Sequence, residues 1–335
     1  MGLQNPGPSG AGAGGSQTGL PVGEINLRRN GQLSTIAALI KGFTHMFQGS
    51  LVALVTPMTA DLAVDYAGLE RLIEHHIASG TDGLVIAGTT GESATLSTPE
   101  HIEVIRRAVE IVNGRLPVIA GTGSNSTAQT IELSKAVGEF AIDAYLVVTP
   151  YYNKPTQEGL YRHFMAIADA VDKPVMLYNV PGRTAVDLLP ETVARLAVHD
   201  NIFGIKEATG DLDRVTAIKS SCDDDFKLYS GDDATAREFM LLGGHGVISV
   251  TSNVAPGRMH QMCAAAISGD ADKAAELDAP LAGLHDKLFV EANPIPVKWA
   301  VARQGLVDGF LRLPLTELSD GCQADVLAAI EQAGV

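Results

Sequence analysis

The feature that most constrains the fold is a regular alternation of short strand-like runs with helix-length stretches, which begins near Ser50. Eight runs are rich in β-branched and other apolar residues: 51–56, 83–88, 117–121, 144–149, 175–179, 202–206, 227–230 and 246–250. The stretches between them can form helices, best placed at 65–79, 98–112, 127–140, 159–171, 190–197, 212–221 and 235–242. The pair Thr98 and Pro99 suits an N-cap and first helical position. Eight consecutive βα units predict an α/β fold, a closed parallel (β/α)8 TIM barrel.

The two ends of the chain differ from this repeat. After Pro256 an alanine-rich region without clear strands predicts a helical C-terminal extension. We therefore expect the barrel at residues 46–270 and a C-terminal helical domain at 271–335. Residues 1–45 begin with a Gly, Pro and Ser-rich segment that favours disorder, and their short apolar part is broken by Lys41. We expect these residues to be a disordered leader or a non-native extension, with Met46 as the functional start.

Composition excludes several classes of function. The chain of 335 residues is 46% hydrophobic, so it can bury a large core. Its formal charge of −15 argues against nucleic acid and anionic membrane surfaces as partners. No apolar run approaches the roughly 20 residues that span a bilayer. The 3 cysteines are odd in number and lack CxxC spacing, which is typical of reduced thiols in a cytoplasmic protein.

A lysine in the sixth strand-like run is out of character for its surroundings. Lysine is rarely buried unless it is paired or chemically used. Strict alternation along a strand places Lys206 on one face with Gly204, and Glu207 on the other face with Phe203 and Ile205. The small Gly204 would leave room for a ligand beside the lysine. A desolvated lysine amine can form a Schiff base with a carbonyl substrate. The alternative is a structural lysine that reaches water or pairs with a carboxylate.

In a barrel of this kind, reactive residues lie at the carboxyl ends of the strands. The second run ends in Gly-Thr-Thr-Gly-Glu at 88–92, whose N–H groups and hydroxyls suit a small carboxylate, although an ordinary βα turn is the alternative. Tyr178 ends the fifth run, next to that of Lys206, and could shuttle protons to a carbinolamine, or it could simply pack. Arg183 offers a forked cation for a second carboxylate, or it could be a surface arginine.

Other chemistries have little support in the sequence. The histidines show no HExxH or tight cluster, so we expect no metal site. No GxSxG elbow occurs, and no cysteine carries a nucleophile motif.

Taken together, these motifs resemble the pyruvate-dependent class I aldolase family, also called the N-acetylneuraminate lyase family, and within it the dihydrodipicolinate synthases. The resemblance covers essentially residue 46 to the C-terminus. It rests on motifs in a fixed order: Gly88-Thr-Thr-Gly-Glu92, Tyr151-Tyr152, Tyr178-Asn-Val-Pro181 with Arg183, Gly204-Ile-Lys-Glu-Ala208, Ser230-Gly-Asp-Asp233, Gly243-Gly-His-Gly-Val-Ile-Ser249 and Asn293-Pro-Ile-Pro-Val-Lys-Trp299.

The resemblance implies a carbon–oxygen lyase that condenses pyruvate with L-aspartate 4-semialdehyde in diaminopimelate and lysine biosynthesis. It implies a homotetramer arranged as a dimer of dimers, and no cofactor, because the imine is the electron sink. The resemblance implies that Lys206 forms the imine and that Thr89 and Thr90 bind the pyruvate carboxylate. It implies a proton relay of Tyr178, Thr90 and a neighbouring subunit's Tyr152. It also implies that Arg183 binds the semialdehyde and that the backbone of Gly231 and Ile248 lines the pyruvate pocket.

Many members of the family are inhibited by L-lysine. The matching positions are Ser93, Ala94, His101, Asn125, Gln129 and Tyr151. Gln129 stands where strongly regulated members carry a glutamate, and Thr98 where a histidine is often found. Loss of that carboxylate removes a charge-assisted bond of roughly 1.5–3 kcal/mol. We therefore expect lysine inhibition to be present but weakened.

Two alternatives remain open at this point. A sibling aldolase, such as N-acetylneuraminate lyase or a keto-deoxy-sugar-acid aldolase, would share Lys206 and Tyr178. Arg183 and the pair Tyr151-Tyr152 favour the semialdehyde, because a neutral sugar acceptor has no matching carboxylate. A binding or regulatory paralogue without turnover would usually have lost the lysine, a relay hydroxyl or the arginine.

Overall fold

The computed structural model describes residues 47–335. In this part of the chain, eight parallel strands form a closed barrel in which consecutive strands pair and β8 pairs with β1. The strands are β1 (Gly49–Ala53), β2 (Gly83–Ile86), β3 (Val118–Gly121), β4 (Ala144–Val148), β5 (Val175–Asn179), β6 (Ile202–Glu207), β7 (Lys227–Ser230) and β8 (Gly246–Ser249). The predicted (β/α)8 barrel is confirmed. The expected leader at residues 1–45 lies outside the described residues.

Helices connect the strands and continue after β8. They are α1 (Tyr66–Ala78), α2 (Thr98–Val112), α3 (Thr127–Gly138), α4 (Gln157–Ala170), α5 (Pro181–Thr184), α6 (Pro190–Ala197), α7 (Asp213–Lys219), α8 (Ala236–Leu241), α9 (Pro256–Ile267), α10 (Ala271–Asp278), α11 (Ala282–Lys287), α12 (Ile295–Arg303) and α13 (Asp320–Ala333). The last four form the predicted C-terminal helical extension, while a domain boundary at residue 270 stays a prediction. None of the helices within residues 47–335 is long and apolar enough to cross a membrane.

Helix α2 begins differently from the prediction. Ser97, and not Thr98, is the N-cap, and its hydroxyl accepts the N–H of Glu100. The Glu100 carboxylate in turn accepts the N–H of Ser97 at 2.9 Å. This reciprocal capping box places Pro99 inside the first turn, where its missing N–H costs no helical hydrogen bond.

The buried apolar residues form two clusters. The larger cluster lies between the strands and the surrounding helices. The smaller one fills the barrel interior, and its members include Phe47, Leu51, Tyr178, Tyr229 and Ile248. The Tyr229 hydroxyl donates to the Phe47 carbonyl, so this fully buried phenol has a hydrogen-bond partner. The interior is therefore a packed core over which a site can form at the carboxyl ends of the strands.

One residue of β6 lies on the face opposite to that predicted. Val175 of β5 pairs with Ile202, but the next residue, Met176, pairs with Gly204, so Phe203 is an extra residue in β6. Such a bulge interrupts the strict alternation of side chains. Phe203 consequently joins the barrel interior, with its ring centroid 5.6 Å from that of Phe47.

Candidate active site

The central residue of the candidate site is Lys206, near the carboxyl end of β6. It is only 6% exposed, and its register partners are Tyr178 of β5 and Tyr229 of β7. Its Nζ atom lies 4.4 Å from the centroid of the Tyr178 ring. The amine and the phenol therefore share the barrel interior, as the sequence predicts. An amine that can act as a nucleophile thus lies beside a phenol that can exchange protons with it.

Two glycines lie close to Lys206, and Gly204 does not have the function that the sequence predicts. A Cβ added to Gly204 would lie 2.5 Å from the Lys227 carbonyl oxygen, so Gly204 allows close approach of β7 and does not leave space for a ligand. A Cβ added to Gly231 would lie 2.8 Å from Cε of Lys206 and 2.5 Å from Cβ of Ala208. It is therefore Gly231 that leaves room for the lysine side chain.

The turn after β2 is held in an unusual backbone conformation. Ala87 and Glu92, which flank it, both have left-handed φ values, of +54° and +57°. The Glu92 N–H donates to the Thr89 carbonyl at 3.1 Å, and the Thr56 hydroxyl donates to the Gly91 carbonyl at 2.7 Å. These constraints leave Thr90 buried and Thr89 half-buried at the mouth of the barrel. The turn can thus offer the Thr89 hydroxyl and backbone N–H groups to a small anion.

Asn293, in the segment before α12, connects two of the predicted site residues. Its Nδ2 donates to the Thr90 hydroxyl at 2.9 Å, and its carbonyl oxygen accepts from Nη2 of Arg183 at 3.2 Å. Arg183 itself is exposed on the short helix α5. The motif that contains Asn293 is visible in the sequence, but its contact with Thr90 spans 203 residues. Only folding reveals that the C-terminal region contributes to the site.

Glu92 ends the same turn but does not face the site. Its Oε1 lies 2.5 Å from Nζ of Lys298 in α12, and both side chains are fully buried. Its other carboxylate oxygen accepts the Arg312 N–H at 3.2 Å. Burial lowers the pKa of Lys298, and the contact with Glu92 partly opposes this effect. Glu92 therefore anchors the turn to the C-terminal helices.

Glu207, the residue after Lys206, lies on the helix side of the barrel. Its carboxylate accepts from Nδ2 of Asn179 at 3.1 Å and from the Thr209 N–H at 3.0 Å. Burial raises the pKa of this carboxyl group, and these hydrogen bonds oppose the rise. Glu207 joins the ends of β5 and β6 and is separate from the barrel interior.

The predicted pyruvate pocket combines the ends of β7 and β8. Gly231 donates its N–H to the Glu207 carbonyl at 2.7 Å, and Ile248 belongs to the interior cluster. Asp233 accepts the N–H groups of Val250 and Thr251, both at 2.9 Å. The loop after β7 thereby fixes the turn after β8, so the two predicted backbone positions are held in a defined arrangement.

Tyr152 is the predicted site residue that the single chain does not bring to the others. Its side chain is 89% exposed and its φ is +73°. The preceding carbonyl, of Tyr151, accepts from Nδ2 of Asn125 at 3.2 Å, and Nδ2 of Asn153 donates to the Asn125 carbonyl at 2.9 Å. The loop is therefore tied to the chain while the Tyr152 ring lies outside the buried site.

A cavity of about 580 Å³ lies beside the site. Two residues of the candidate site, Thr89 and Arg183, are among those that line the cavity. Five of the six positions matched to a lysine site also line it, namely Ser93, Ala94, His101, Gln129 and Tyr151, together with Thr98 and Glu132. Asn125 is attached to this group through its contact with Tyr151.

His101 is the buried histidine of this cavity. Its Nε2–H donates to the Gly121 carbonyl at 2.7 Å. Burial lowers the pKa of its imidazole, and the hydrogen bond to Gly121 partly opposes this. His101 is therefore a neutral hydrogen-bonding group near pH 7. Within residues 47–335, no group of three or more His, Cys, Asp or Glu side chains is arranged to hold a metal ion.

Comparisons with known proteins agree with this geometry. The family model described as the dihydrodipicolinate synthetase family matches residues 46–333. The chain is 58% identical over 290 residues to the 4-hydroxy-tetrahydrodipicolinate synthase of Alcanivorax borkumensis, with 87% of this chain and 99% of that protein covered.

Solved structures give the same result. The chloride-inhibited dihydrodipicolinate synthase of Acinetobacter baumannii, complexed with pyruvate, has a TM-score of 0.85 and 53% identity over 86% of this chain and 99% of that one. The enzyme of Cyanidioschyzon merolae with lysine bound has a TM-score of 0.84 and 41% identity, with coverages of 86% and 99%. The chain belongs to the dihydrodipicolinate synthetase family.

Proposed function

We propose that this chain condenses pyruvate with L-aspartate 4-semialdehyde to give 4-hydroxy-tetrahydrodipicolinate, in diaminopimelate and lysine biosynthesis. The observation that carries the proposal is the buried amine of Lys206 beside Tyr178 in the barrel interior. Nζ attacks the ketone carbon of pyruvate, and the carbinolamine loses water to form an imine. The imine then allows the methyl carbon to lose a proton, and the resulting enamine attacks the aldehyde carbon. The acceptor's amino group finally displaces Lys206 and closes the ring.

The remaining residues are proposed to bind the two anions and move protons. Thr89 and Thr90 bind the pyruvate carboxylate, and Arg183 binds the semialdehyde carboxylate at the mouth. The backbone of Gly231 and Ile248 lines the pyruvate pocket. Because the whole chain carries a formal charge of −15, capture of anions must rely on such local donors and cations. No cofactor is required, since the imine withdraws the electrons.

Tyr152 is proposed to act in a neighbouring copy of the chain. Tyr178, Thr90 and the partner-supplied phenol would form the proton relay, within a homotetramer built as a dimer of dimers. Two adjacent exposed aromatic residues, Tyr151 at 41% and Tyr152 at 89%, support this proposal. Aromatic side chains of this kind are enriched at protein interfaces.

L-Lysine is proposed as a feedback effector that binds the 580 Å³ cavity. The lysine-bound structure of the Cyanidioschyzon merolae relative supports the proposal. Gln129 is neutral where strongly regulated members of the family carry a glutamate, so the inhibition is expected to be present but weakened. A cytoplasmic location also remains a proposal, supported by three cysteines that are free thiols.

The proposed function is tested by measuring pyruvate consumption with aspartate semialdehyde, N-acetylmannosamine and glyceraldehyde as alternative acceptors. We expect rapid turnover with the semialdehyde alone. Turnover with a sugar aldehyde would assign the imine to a sibling aldolase reaction. Absence of turnover, combined with borohydride trapping of pyruvate, would indicate a protein that binds pyruvate without this activity.

A further inference from the structure

Asn293 occupies a position that the proposed relay leaves without a role. It is 6% exposed and belongs to the segment between α11 and α12, far from the strands in sequence. Nevertheless its side chain contacts the hydroxyl of Thr90, and its backbone carbonyl contacts Arg183. Asn293 thus contacts Thr90, which is proposed to bind pyruvate, and Arg183, which is proposed to bind the semialdehyde.

The direction of the Asn293–Thr90 hydrogen bond limits what Thr90 can do. A threonine hydroxyl has one proton to donate and two lone pairs that accept. Nδ2 of Asn293 is the donor at 2.9 Å, so it occupies one lone pair of Thr90 Oγ1. One lone pair and the hydroxyl proton remain. Thr90 can then accept from one phenol and donate to another, which is what transfer between two tyrosines requires.

We propose that Asn293 is a positioning residue that fixes Thr90 as a relay group with one proton entering and one leaving. This inference rests on the proposed function, because it concerns the relay among Tyr178, Thr90 and Tyr152. An acceptor in place of Nδ2 would take the only hydroxyl proton of Thr90. Thr90 would then be left with lone pairs alone and could not donate to either phenol.

The reversed hydrogen bond can be made with the nearly isosteric variant Asn293→Asp. Carboxylate oxygens accept and do not donate, so Thr90 must donate to the new side chain. We expect the rate of imine formation from pyruvate to fall about 100-fold, the lower end of the range for general acid–base catalysis. Asn293→Ala leaves Thr90 free to rotate, so the loss should be smaller. A residue that merely packs would give the opposite order, since Ala leaves a cavity and Asp does not.

A double-mutant cycle with Thr90→Val separates positioning from other effects of the new charge. Groups that act as a unit have non-additive effects on rate. In the Thr90→Val background we expect Asn293→Asp to change single-turnover imine formation less than twofold. An equal loss in both backgrounds, or a greater loss for Asn293→Ala than for Asn293→Asp, would overturn the proposal. Because the assay uses pyruvate alone, a wild-type chain that forms the imine but rejects the semialdehyde would refute the proposed condensation and leave this test intact.

Discussion

Glu92 and Lys298 form an ion pair in which both side chains are fully buried, with 2.5 Å between Oε1 and Nζ. Glu92 belongs to the turn that carries Thr89 and Thr90, and Lys298 belongs to α12. The pair therefore connects the mouth of the barrel to the C-terminal helices. Replacing only one of the two side chains would leave the other as a buried charge without its partner, which costs far more stability than the loss of an exposed ion pair.

Replacement of Lys298 by Met is expected to lower the free energy of unfolding by about 3–5 kcal/mol, because Glu92 keeps its buried charge without a partner. Urea titration measures this change. Lys273→Met is the matched control, since Lys273 pairs with Glu276 on an exposed helix surface. The double variant Glu92→Leu and Lys298→Met should recover much of the loss. Equal stability of the Lys298 and Lys273 variants would contradict the prediction.

Replacement of Gly231 by Ala is expected to slow imine formation about 100-fold, because the added methyl group would displace the Lys206 side chain. Trapping of pyruvate with borohydride over time measures the rate. Gly321→Ala is the control, since a Cβ there meets no atom within 4 Å. A Gly231→Ala enzyme with the wild-type rate would show that the clash is relieved without moving the amine.

Replacement of Lys206 by Ala should abolish borohydride trapping of pyruvate, since the imine nitrogen is lost. Mass spectrometry of the reduced protein measures the adduct. Lys227→Ala, on the neighbouring strand β7, should still trap pyruvate. An adduct on another lysine in the Lys206 variant would refute the assignment of the nucleophile.

Replacement of Gln129 by Glu should strengthen inhibition by L-lysine by at least tenfold in half-inhibitory concentration, since a carboxylate adds a charge-assisted bond of roughly 1.5–3 kcal/mol. Titration of the condensation rate with lysine measures it. Gln323→Glu on α13 makes the same chemical change outside the cavity and should have no effect. Wild-type inhibition as strong as that of the Gln129→Glu variant would contradict the weakened feedback proposed above.

Stability should fall as the pH is lowered from about 6.5 towards 4, because the buried side chains of His76 and His163 stay neutral in the folded chain. Burial lowers the pKa of His76 to about 3 and that of His163 to about 4, from 6.5. At a pH between the folded-state pKa of each histidine and its unfolded-state pKa of 6.5, the unfolded chain binds a proton that the folded chain does not. Each of the two histidines therefore lowers the free energy of unfolding by about 1.4 kcal/mol per pH unit in that range. Urea titrations at several pH values measure the slope.

The variant His163→Gln tests the origin of that slope, since it removes one titrating group while keeping a polar side chain beside Thr127. Its unfolding free energy should depend less steeply on pH than that of the wild type between pH 6.5 and 4. An unchanged slope would mean that other groups cause the pH dependence.

Local patterns in the sequence were sufficient to predict the barrel and much of the candidate site. Short runs of β-branched and other apolar residues, and the helix-length stretches between them, are recognised from neighbouring residues, so the eight βα units and the position of Lys206 near the end of β6 could be predicted. The rule that places reactive residues at strand ends then brought Thr90, Tyr178 and Arg183 to one end of the barrel.

Contacts between distant parts of the chain were decided by the tertiary structure. Asn293 meets Thr90 across 203 residues, and Lys298 meets Glu92 across 206, and neither partner leaves a local pattern that identifies the other. The extra residue Phe203 follows from how β6 pairs with β5. The sequence by itself determined which elements form and which side chains can react, because these depend on short-range periodicity and residue chemistry. Only the packed barrel decided which residues hold them in place, because burial and hydrogen-bond partners arise when distant segments meet.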